Sequence, residues 1–128
     1  MDDKKLWELA LDVLKNSYSP YSNFPVSAVL LTKSGKIYTG VNIENSSYGL
    51  TICAERVAIF KAVSEGERDF VKMIIVGKDG DGVFPCGACR QVMAEFSLDM
   101  DILLYNSRED KFNSYKVREL LPLNFYLK

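Results

Sequence analysis

The chain has 128 residues, of which 48% are hydrophobic and 26% are charged, a balance typical of a globular domain rather than a disordered segment. Sixteen basic and seventeen acidic residues give a net charge of -1, which argues against a nucleic-acid or membrane surface because both favour a basic excess. No apolar run approaches the ~20 residues of a membrane span, and the charged first residues lack the apolar segment of a signal peptide. We therefore expect a cytoplasmic protein.

Residues 2–16 are the first predicted element, a helix, because apolar side chains recur there every three or four positions. The stretch 17–25 is rich in proline and serine and is predicted to be a loop. Two β-branched, apolar stretches follow at 26–32 and 37–42, and we predict that they form a hairpin. Gly40, inside the second strand, indicates a bulge or a close approach by another part of the chain.

A second polar loop, 43–50, leads into a predicted helix over 52–65. The continuous apolar stretch 71–77 predicts a strand that is buried on both faces. A turn rich in glycine and aspartate at 78–85 then precedes a helix predicted over 87–97.

The end of the chain contains a predicted strand at 101–105, a short edge strand at 112–115 and a short helix at 117–121. The tail 123–128 is apolar for a free terminus, so it either packs on its own core or reaches a neighbouring molecule. Helices that alternate with buried strands predict an α/β fold. We expect one domain over residues 1–128, with three α/β/α layers around a central mixed sheet of about five strands.

The chain has three cysteines and no histidine. An odd number of cysteines excludes a complete set of disulfides, and in a reducing compartment clustered cysteines more often bind metal or take part in catalysis. The lack of histidine removes both the usual metal ligand and the usual general base. Proton transfer must therefore fall to a carboxylate, a lysine, a tyrosine or a bound water.

Cys86 and Cys89 form a Cys-x-x-Cys motif, and Cys53 lies in the sequence Thr-Ile-Cys-Ala-Glu-Arg. Three interpretations are open. A thiol-redox pair needs neither a third cysteine nor a nearby glutamate, and a structural zinc site has four ligands, usually cysteine or histidine. A catalytic zinc site has three protein ligands and an open position for water, and the ligand count favours it.

Each cysteine segment lies where a loop is predicted to become a helix, and helix starts favour the thiolate that zinc binds. Glu55, two residues after Cys53, is the natural proton carrier beside such a metal; the alternative is an ordinary glutamate on a helix surface. Three thiolates around Zn2+ leave a charge of about -1. We expect at least one of Arg56 and Arg90, and Arg56 in particular, to hydrogen-bond a ligand sulfur; the alternative is a surface arginine.

The two polar loops contain further candidates. Phe24 either contributes to a binding site or anchors its loop to the core. Asn42 and Glu44 are two positions apart, so in an extended backbone their side chains face the same side and could bind the hydroxyls of a sugar. A solvated loop with a local turn is the alternative, and the spacing alone favours that alternative.

Several blocks of the sequence occur together in one known family. Cys-Ala-Glu at 53–55, followed by Pro-Cys-x-x-Cys at 85–89, matches the signature known for zinc-dependent deaminases, in its three-cysteine form. Further matching blocks stand in order at 18–24, 41–45 and 120–122. On these blocks, the chain resembles the small, homotetrameric type of cytidine deaminase.

That resemblance implies hydrolytic deamination of cytidine or deoxycytidine to uridine or deoxyuridine, with release of ammonia, a reaction of pyrimidine salvage. Zinc would be bound by Cys53, Cys86 and Cys89, and zinc-bound hydroxide would attack C4 of the base. Glu55 would carry a proton to the ring nitrogen and then to the departing amine. The expected partners are a free nucleoside and identical subunits, without nucleic acid or membrane.

The same resemblance implies a set of substrate contacts. Phe24 would pack against the base, while the backbone of Ala54 and the side chain of Glu55 would read its polar edge. Asn42 and Glu44 would hold the ribose, with the carboxylate on the sugar hydroxyls.

Tyr48 and Phe125 would come from neighbouring subunits, which would account for the apolar tail and make tetramer formation a condition of activity. Some positions depart from the family. Ser27 stands where glycine is frequent, and Ser46 and Ser47 stand in a loop that often carries alanine. The preference between ribose and deoxyribose therefore stays open.

Other functions compete with this one. Deamination of a related aminopyrimidine, such as a nucleoside antibiotic of the blasticidin type, would share the zinc motifs. A structural zinc module or a thiol-redox domain would not need Glu55. Deamination of polynucleotides is disfavoured by the lack of a basic excess.

Overall fold

Five strands form one sheet in the computed structural model, which describes residues 1–127. The strands are β1 (Ser27–Thr32), β2 (Ile37–Val41), β3 (Phe70–Val76), β4 (Asp101–Asn106) and β5 (Lys111–Lys116). They lie in the order β2-β1-β3-β4-β5. The β3–β4 pair is parallel and the other pairs are antiparallel, so the predicted mixed sheet is confirmed.

Helices cover both faces of this sheet. Within residues 1–127 the α-helices are α1 (Asp3–Val13), α2 (Ala54–Ser64), α3 (Gly87–Phe96) and α4 (Val117–Leu120). None of the helices in this part of the chain combines the length and the apolar composition that crossing a membrane requires.

Side-chain alternation divides the core between the two faces. Val29 in β1 and Ile74 in β3 form one buried cluster with Leu6 of α1. Their neighbours in the strands face the other side, where Leu30 packs in a second cluster with Ile59 of α2 and with side chains of α3. Helix, sheet and helix layers follow from this alternation, and the predicted α/β/α fold class is confirmed.

The start of α2 differs from the prediction by two residues. Ile52 pairs with Ile43 instead of entering the helix, and the two residues exchange backbone hydrogen bonds of 3.0 and 3.1 Å. Cys53 is consequently the N-cap of α2, with φ -76° and ψ 151°. This pairing holds the polar loop 43–50 beside the start of α2.

Two polar contacts fix α1 in place. Ser27 Oγ donates to the Ala10 carbonyl at 2.6 Å, which satisfies a buried hydroxyl. The indole N–H of Trp7 donates to the Gly80 carbonyl at 3.0 Å, and the ring of Trp7 lies 4.6 Å from that of Tyr105. The loop between β3 and α3 is thereby anchored to α1.

The C-terminal tail exposes most of its apolar side chains, those of Leu123, Phe125, Tyr126 and Leu127. Gln91 of α3 donates to the Phe125 carbonyl at 3.2 Å, so the backbone of the tail lies against the helix. These side chains therefore do not pack into the core of their own chain. Lys128, the last residue of the predicted apolar tail, lies outside the described residues.

Gly40 in β2 confirms the predicted close approach. A Cβ atom at this position would lie 2.7 Å from the backbone nitrogen of Ala58 and would overlap the carbonyl oxygen of Ala54. Both alanines are buried in α2, so the first turns of the helix rest directly on the strand. The position of α2, with Cys53 at its start, therefore depends on glycine at residue 40.

Gly40→Ala should displace the start of α2, because its methyl group would meet backbone rather than a movable side chain. Overpacking of a core typically costs ~1–3 kcal/mol, so we expect the thermal midpoint to fall by roughly 5–15 °C, measured by circular dichroism. Gly49→Ala is the control, since a methyl group there would meet no atom within 4 Å. A Gly40→Ala protein as stable as this control would contradict the close approach.

Candidate active site and metal centre

The three cysteines lie at the starts of α2 and α3. Cys53 is the N-cap of α2 and Cys86 is the N-cap of α3, and neither helix has a side-chain hydrogen bond at its cap. Cys89 lies in the first turn of α3 and is fully buried. The unpaired N–H groups and positive dipole ends of two helices therefore favour negative charge on these sulfurs.

The sulfur atoms form a compact group. Cys86 Sγ lies 3.8 Å from Cys53 Sγ and 3.5 Å from Cys89 Sγ, and all three sulfurs lie within 4.8 Å of one another. A tetrahedral zinc ion with Zn–S bonds of ~2.3 Å separates its sulfurs by about 3.8 Å. No other cysteine or carboxylate of residues 1–127 joins the group, so these donors fit one Zn2+ ion with a fourth position left for water.

Arg56 lies beside the sulfurs, as the sequence predicts. Its Nη2 donates to Cys53 Sγ at 3.3 Å, and its Nε is buried without an acceptor among the described residues. A guanidinium at this place would offset the negative charge that three thiolates bring to a zinc ion. A bound zinc ion would thereby keep more of its capacity to polarise water.

Hydrogen bonds among the sulfurs make their acidities unequal. Donation from Cys89, against the effect of burial and with further donation from Arg56 and Cys86, lowers the pKa of Cys53. The pKa of Cys89 is raised, first because its thiol donates to Cys53 and second because it is buried. Cys53 is therefore the more acidic thiol of the pair, and a bound metal dication would favour loss of the proton from Cys89 as well.

Glu55 is a buried carboxyl group in the first turn of α2, with an exposed fraction of 4%. Burial is the main reason that its pKa is raised to about 7, and the charge of Cys53 adds to the effect. The alternative interpretation of Glu55 as a residue of the helix surface is wrong, because the side chain is enclosed next to the cysteines.

A cavity of about 250 Å³ opens beside this group. Several predicted site residues line it together, namely Phe24, Asn42, Cys53, Ala54, Glu55 and Cys86. A larger depression of about 520 Å³ lies beside Phe70 and Lys116, but none of the cysteines lines it. Chemistry rather than volume therefore identifies the smaller cavity as the candidate site.

Asn42 holds the loop that carries Phe24. Its Oδ1 accepts from the backbone N–H of Val26 at 2.9 Å and from Ser17 Oγ at 2.5 Å, and its Nδ2 donates to the Phe24 carbonyl at 2.9 Å. Both acceptor sites of the amide are occupied, and one N–H remains. Asn42 can therefore donate one hydrogen bond to a ligand but has no acceptor site to offer.

Glu44 does not line this cavity, but its side chain, like that of Asn42, hydrogen-bonds the loop 17–25. Its Oε1 accepts from the backbone N–H groups of Tyr21 and Ser22 at 2.9 and 3.1 Å, and its Oε2 accepts from Ser22 Oγ at 2.5 Å. The bond from the Ser22 hydroxyl is the main cause that lowers the pKa of Glu44. Roughly one of the four acceptor sites of this carboxylate stays free.

Tyr48 and Phe125 are not part of the cavity lining. Tyr48 lies in a 3-10 turn (Tyr48–Leu50) and is 76% exposed, and Phe125 in the tail is 66% exposed. The Tyr48 ring packs edge-to-face with the Tyr21 ring, and the two ring centroids are 6.0 Å apart. Within one chain, the rings of Tyr48 and Phe125 are therefore exposed and lie outside the cavity beside the cysteine group.

Arg90 bonds main-chain carbonyls rather than sulfur. Its Nε donates to Pro85 and its Nη1 to Leu120, both at 2.8 Å. The expected bond to a sulfur is made by Arg56, whereas Arg90 supports the segment in front of Cys86 and ties it to α4.

Five lining residues belong to none of the predicted site residues: Val26, Thr51, Ile52, Val83 and Phe84. Of these five, Phe84 is the residue that the sequence could have indicated, because an aromatic residue directly precedes the Pro85–Cys86 pair. In the structure Phe84 is exposed. The other four are ordinary apolar or hydroxyl residues, and only the path of the loops brings them to the cavity.

Residues 1–104 match the family model described as the cytidine and deoxycytidylate deaminase zinc-binding region. A curated cytidine deaminase from Halalkalibacterium halodurans is 50% identical over 123 residues, which cover 95% of this chain and 92% of that relative. A crystal structure of cytidine deaminase from Burkholderia pseudomallei has a TM-score of 0.89 and 41% identity, covering 98% of this chain and 100% of that chain.

A blasticidin-S deaminase from Bacillus cereus is more distant. It is 30% identical over 131 residues, which cover 96% of this chain and 91% of that relative. The zinc-binding description of the family and the sulfur group of this chain agree, and zinc is the cofactor.

Arg56→Ala should weaken zinc binding by roughly 10- to 100-fold, the usual cost of removing a partner of a metal ligand. The reason is the loss of the donor to Cys53 Sγ. Competition with a chromogenic chelator measures the effect. Arg118→Ala, which removes an exposed arginine paired with Asp99, is the control and should bind zinc as the wild type does. Equal zinc affinity in both variants would exclude the role of Arg56.

Proposed function

The chain belongs to the cytidine and deoxycytidylate deaminase family, and we propose that it catalyses the hydrolytic deamination of cytidine and deoxycytidine to uridine and deoxyuridine, with release of ammonia. The observation that supports this most strongly is the group of three sulfurs beside the buried Glu55 at the wall of the cavity. A metal site, a proton carrier and space for a base lie together there.

Cys53, Cys86 and Cys89 hold the zinc ion, and their spacing supports this assignment. Bound zinc supplies a Lewis acid that lowers the pKa of a water molecule and makes it a nucleophile at neutral pH. The remaining tasks of orienting the base, moving protons and excluding bulk water fall to side chains of the chain itself.

Glu55 moves the protons. It lines the cavity next to Cys53 and is shielded from bulk water, and the chain has no histidine that could replace it. Its carboxylate takes a proton from the attacking water and passes it to the ring nitrogen next to C4. It then takes the remaining proton from the new hydroxyl on C4 and gives it to the amine, so that the C4–N bond breaks and ammonia leaves.

The cavity wall orients the base, with the Phe24 ring against its face and the backbone of Ala54 at its polar edge. Both residues line the cavity, which supports these contacts. Asn42 retains one donor and Glu44 retains about one acceptor site. Together they match sugar hydroxyls, which both donate and accept, whereas a phosphate at the Glu44 carboxylate would be repelled. A nucleoside is therefore favoured over a nucleotide.

A homotetramer with shared active sites completes the pocket. The described residues expose many large apolar side chains, including those of Tyr48, Leu50, Phe60, Phe125 and Leu127. Exposed apolar side chains of this size are typical of interaction surfaces, and copies of the same chain are the simplest partners. In this assembly Tyr48 and Phe125 reach the cavity of a neighbouring subunit.

Residues 1–128 act as one catalytic domain in the cytoplasm, because three metal-binding thiols require a reducing compartment. The net charge of -1 supports a small-molecule substrate and gives no basis for a nucleic-acid or membrane partner.

Glu55→Gln should abolish nearly all turnover of cytidine, by roughly 100- to 10,000-fold, because the amide cannot carry the proton. The zinc content should stay at wild-type level. Turnover is followed by ultraviolet absorbance and zinc by metal analysis. Glu8→Gln, on the exposed side of α1, is the control with normal turnover. A Glu55→Gln enzyme that retained activity would exclude this mechanism, and a zinc-loaded wild type without any turnover would indicate a structural zinc module instead.

Mixing two inactive variants tests the shared site. Phe125→Ala should lose activity because the pocket of the neighbouring subunit then lacks the Phe125 ring. Glu55→Gln should lose activity because the pocket of the same subunit then lacks the proton carrier. Subunits exchanged between the two proteins should recover part of the activity, since some pockets then contain both native residues. No recovery in verified mixed oligomers would contradict trans contribution by Phe125.

Because one relative is a blasticidin-S deaminase, blasticidin S is a second substrate whose turnover should be measured. We expect kcat/KM for cytidine to exceed that for blasticidin S, because the relatives of higher identity are cytidine deaminases. The reverse order would indicate that the chain is a deaminase of the antibiotic instead.

A further inference from the structure

Ser22 connects the two ends of the proposed binding site. Its hydroxyl donates to Glu44 Oε2 at 2.5 Å and accepts from the backbone N–H of Phe24 at 3.1 Å. Its own backbone N–H donates to Glu44 Oε1 at 3.1 Å. The side chain of Ser22 therefore contacts the carboxylate of Glu44, which we propose binds the sugar. It also contacts the backbone of Phe24, whose ring we propose packs against the base.

We propose that Ser22 is a positioning residue that holds Glu44 and Phe24 at a set separation, so that the sugar and the base of a nucleoside are recognised by one preformed unit. This inference rests on the proposed function, because Glu44 and Phe24 enter it as substrate contacts. Ser22 itself acts through these two residues and need not touch the nucleoside.

The backbone of Phe24 is held on both sides. Ser22 Oγ holds its N–H, and Asn42 Nδ2 holds its carbonyl at 2.9 Å. Asn23, between Ser22 and Phe24, has a φ of 56°, a left-handed conformation that asparagine tolerates better than most residues. Its N–H donates to the Ser19 carbonyl at 3.0 Å. The chain reversal at Asn23 lets the Ser22 hydroxyl turn back to the N–H two residues later.

The charge of Glu44 gives this link a measurable consequence. The Ser22 hydroxyl is the main cause that lowers the pKa of Glu44, and backbone donation from Ser22 and Tyr21 adds to it against the effect of burial. Two titratable residues are hydrogen-bonded to Glu44 through their backbones: the Tyr18 carbonyl accepts the Glu44 N–H at 2.8 Å, and the Tyr21 N–H donates to Glu44 Oε1 at 2.9 Å. The Tyr21 hydroxyl bonds Ser46 at 2.6 Å. Loss of the Ser22 hydroxyl therefore moves the pKa of Glu44 upward.

The test compares Ser22→Ala, Ser22→Thr and Ser34→Ala. In Ser22→Ala, KM for cytidine should rise about tenfold while kcat changes less than about threefold, as expected when an orienting hydrogen bond to a charged group is lost. Ser22→Thr keeps the hydroxyl and should restore most of the affinity. Ser34→Ala is the matched control, because it removes another serine–glutamate bond, to Glu67 at 2.7 Å, in the hairpin turn.

Carbon-13 NMR of the Glu44 carboxyl separates loss of the hydrogen bond from a general effect on the loop. Without any substrate, the pKa of Glu44 should move upward in Ser22→Ala and stay in place in Ser22→Thr. The acidic limb of kcat/KM does not report on Glu44, because Glu55, with a pKa raised to about 7, sets that limb.

The outcomes are distinct. If the wild type turns over cytidine and Ser22→Ala keeps both the KM and the Glu44 pKa of the wild type, the inference fails while the proposed function stands. If Ser22→Thr is as impaired as Ser22→Ala, the shape of the loop rather than the hydroxyl is responsible, and the inference also fails. If zinc-loaded wild type does not turn over cytidine, the proposed function fails first and the inference fails with it.

Discussion

The structure depends on keeping three sulfur atoms within 4.8 Å of one another. As thiolates they would repel one another strongly without a cation, and the fold answers this in several ways. Two helices direct their positive ends to Cys53 and Cys86, and Arg56 donates to a sulfur from one turn away. Both the helix ends and Arg56 can act on the sulfurs only if α2 and α3 start at the same end of the sheet. The tight contact of α2 with Gly40 therefore helps to place Cys53 where the three sulfurs can bind one metal ion.

Residues that satisfy a strict chemical or steric requirement could be predicted from the sequence. Three cysteines without histidine limit the possible zinc sites to very few, and Glu55 is the carboxyl closest in sequence to a ligand. Gly40 could be anticipated because glycine inside an apolar strand is typical of a bulge or of close contact with another segment. The five strands could also be predicted, mainly from short stretches of β-branched and apolar residues, a property of neighbouring residues alone.

Features that depend on distant partners could not be predicted in the same way. Ile52 continues the apolar pattern of α2, yet its pairing with Ile43 removes it from the helix. β5 is longer than its apolar residues indicate, because pairing with β4 extends over six positions although Lys111 and Lys116 are charged. Arg90 follows a ligand in the sequence, but the direction of its side chain takes it to carbonyls of other segments.

Trp7 gives this protein a built-in optical reporter. It is the one tryptophan of the chain, its indole N–H is bonded to the Gly80 carbonyl, and its ring is packed against Tyr105. Intrinsic fluorescence therefore comes from the junction between α1 and the loop that leads to Cys86. Detachment of that loop from the helix would alter the emission even where the sheet stays intact, so the local loosening of one ligand segment can be distinguished from global denaturation.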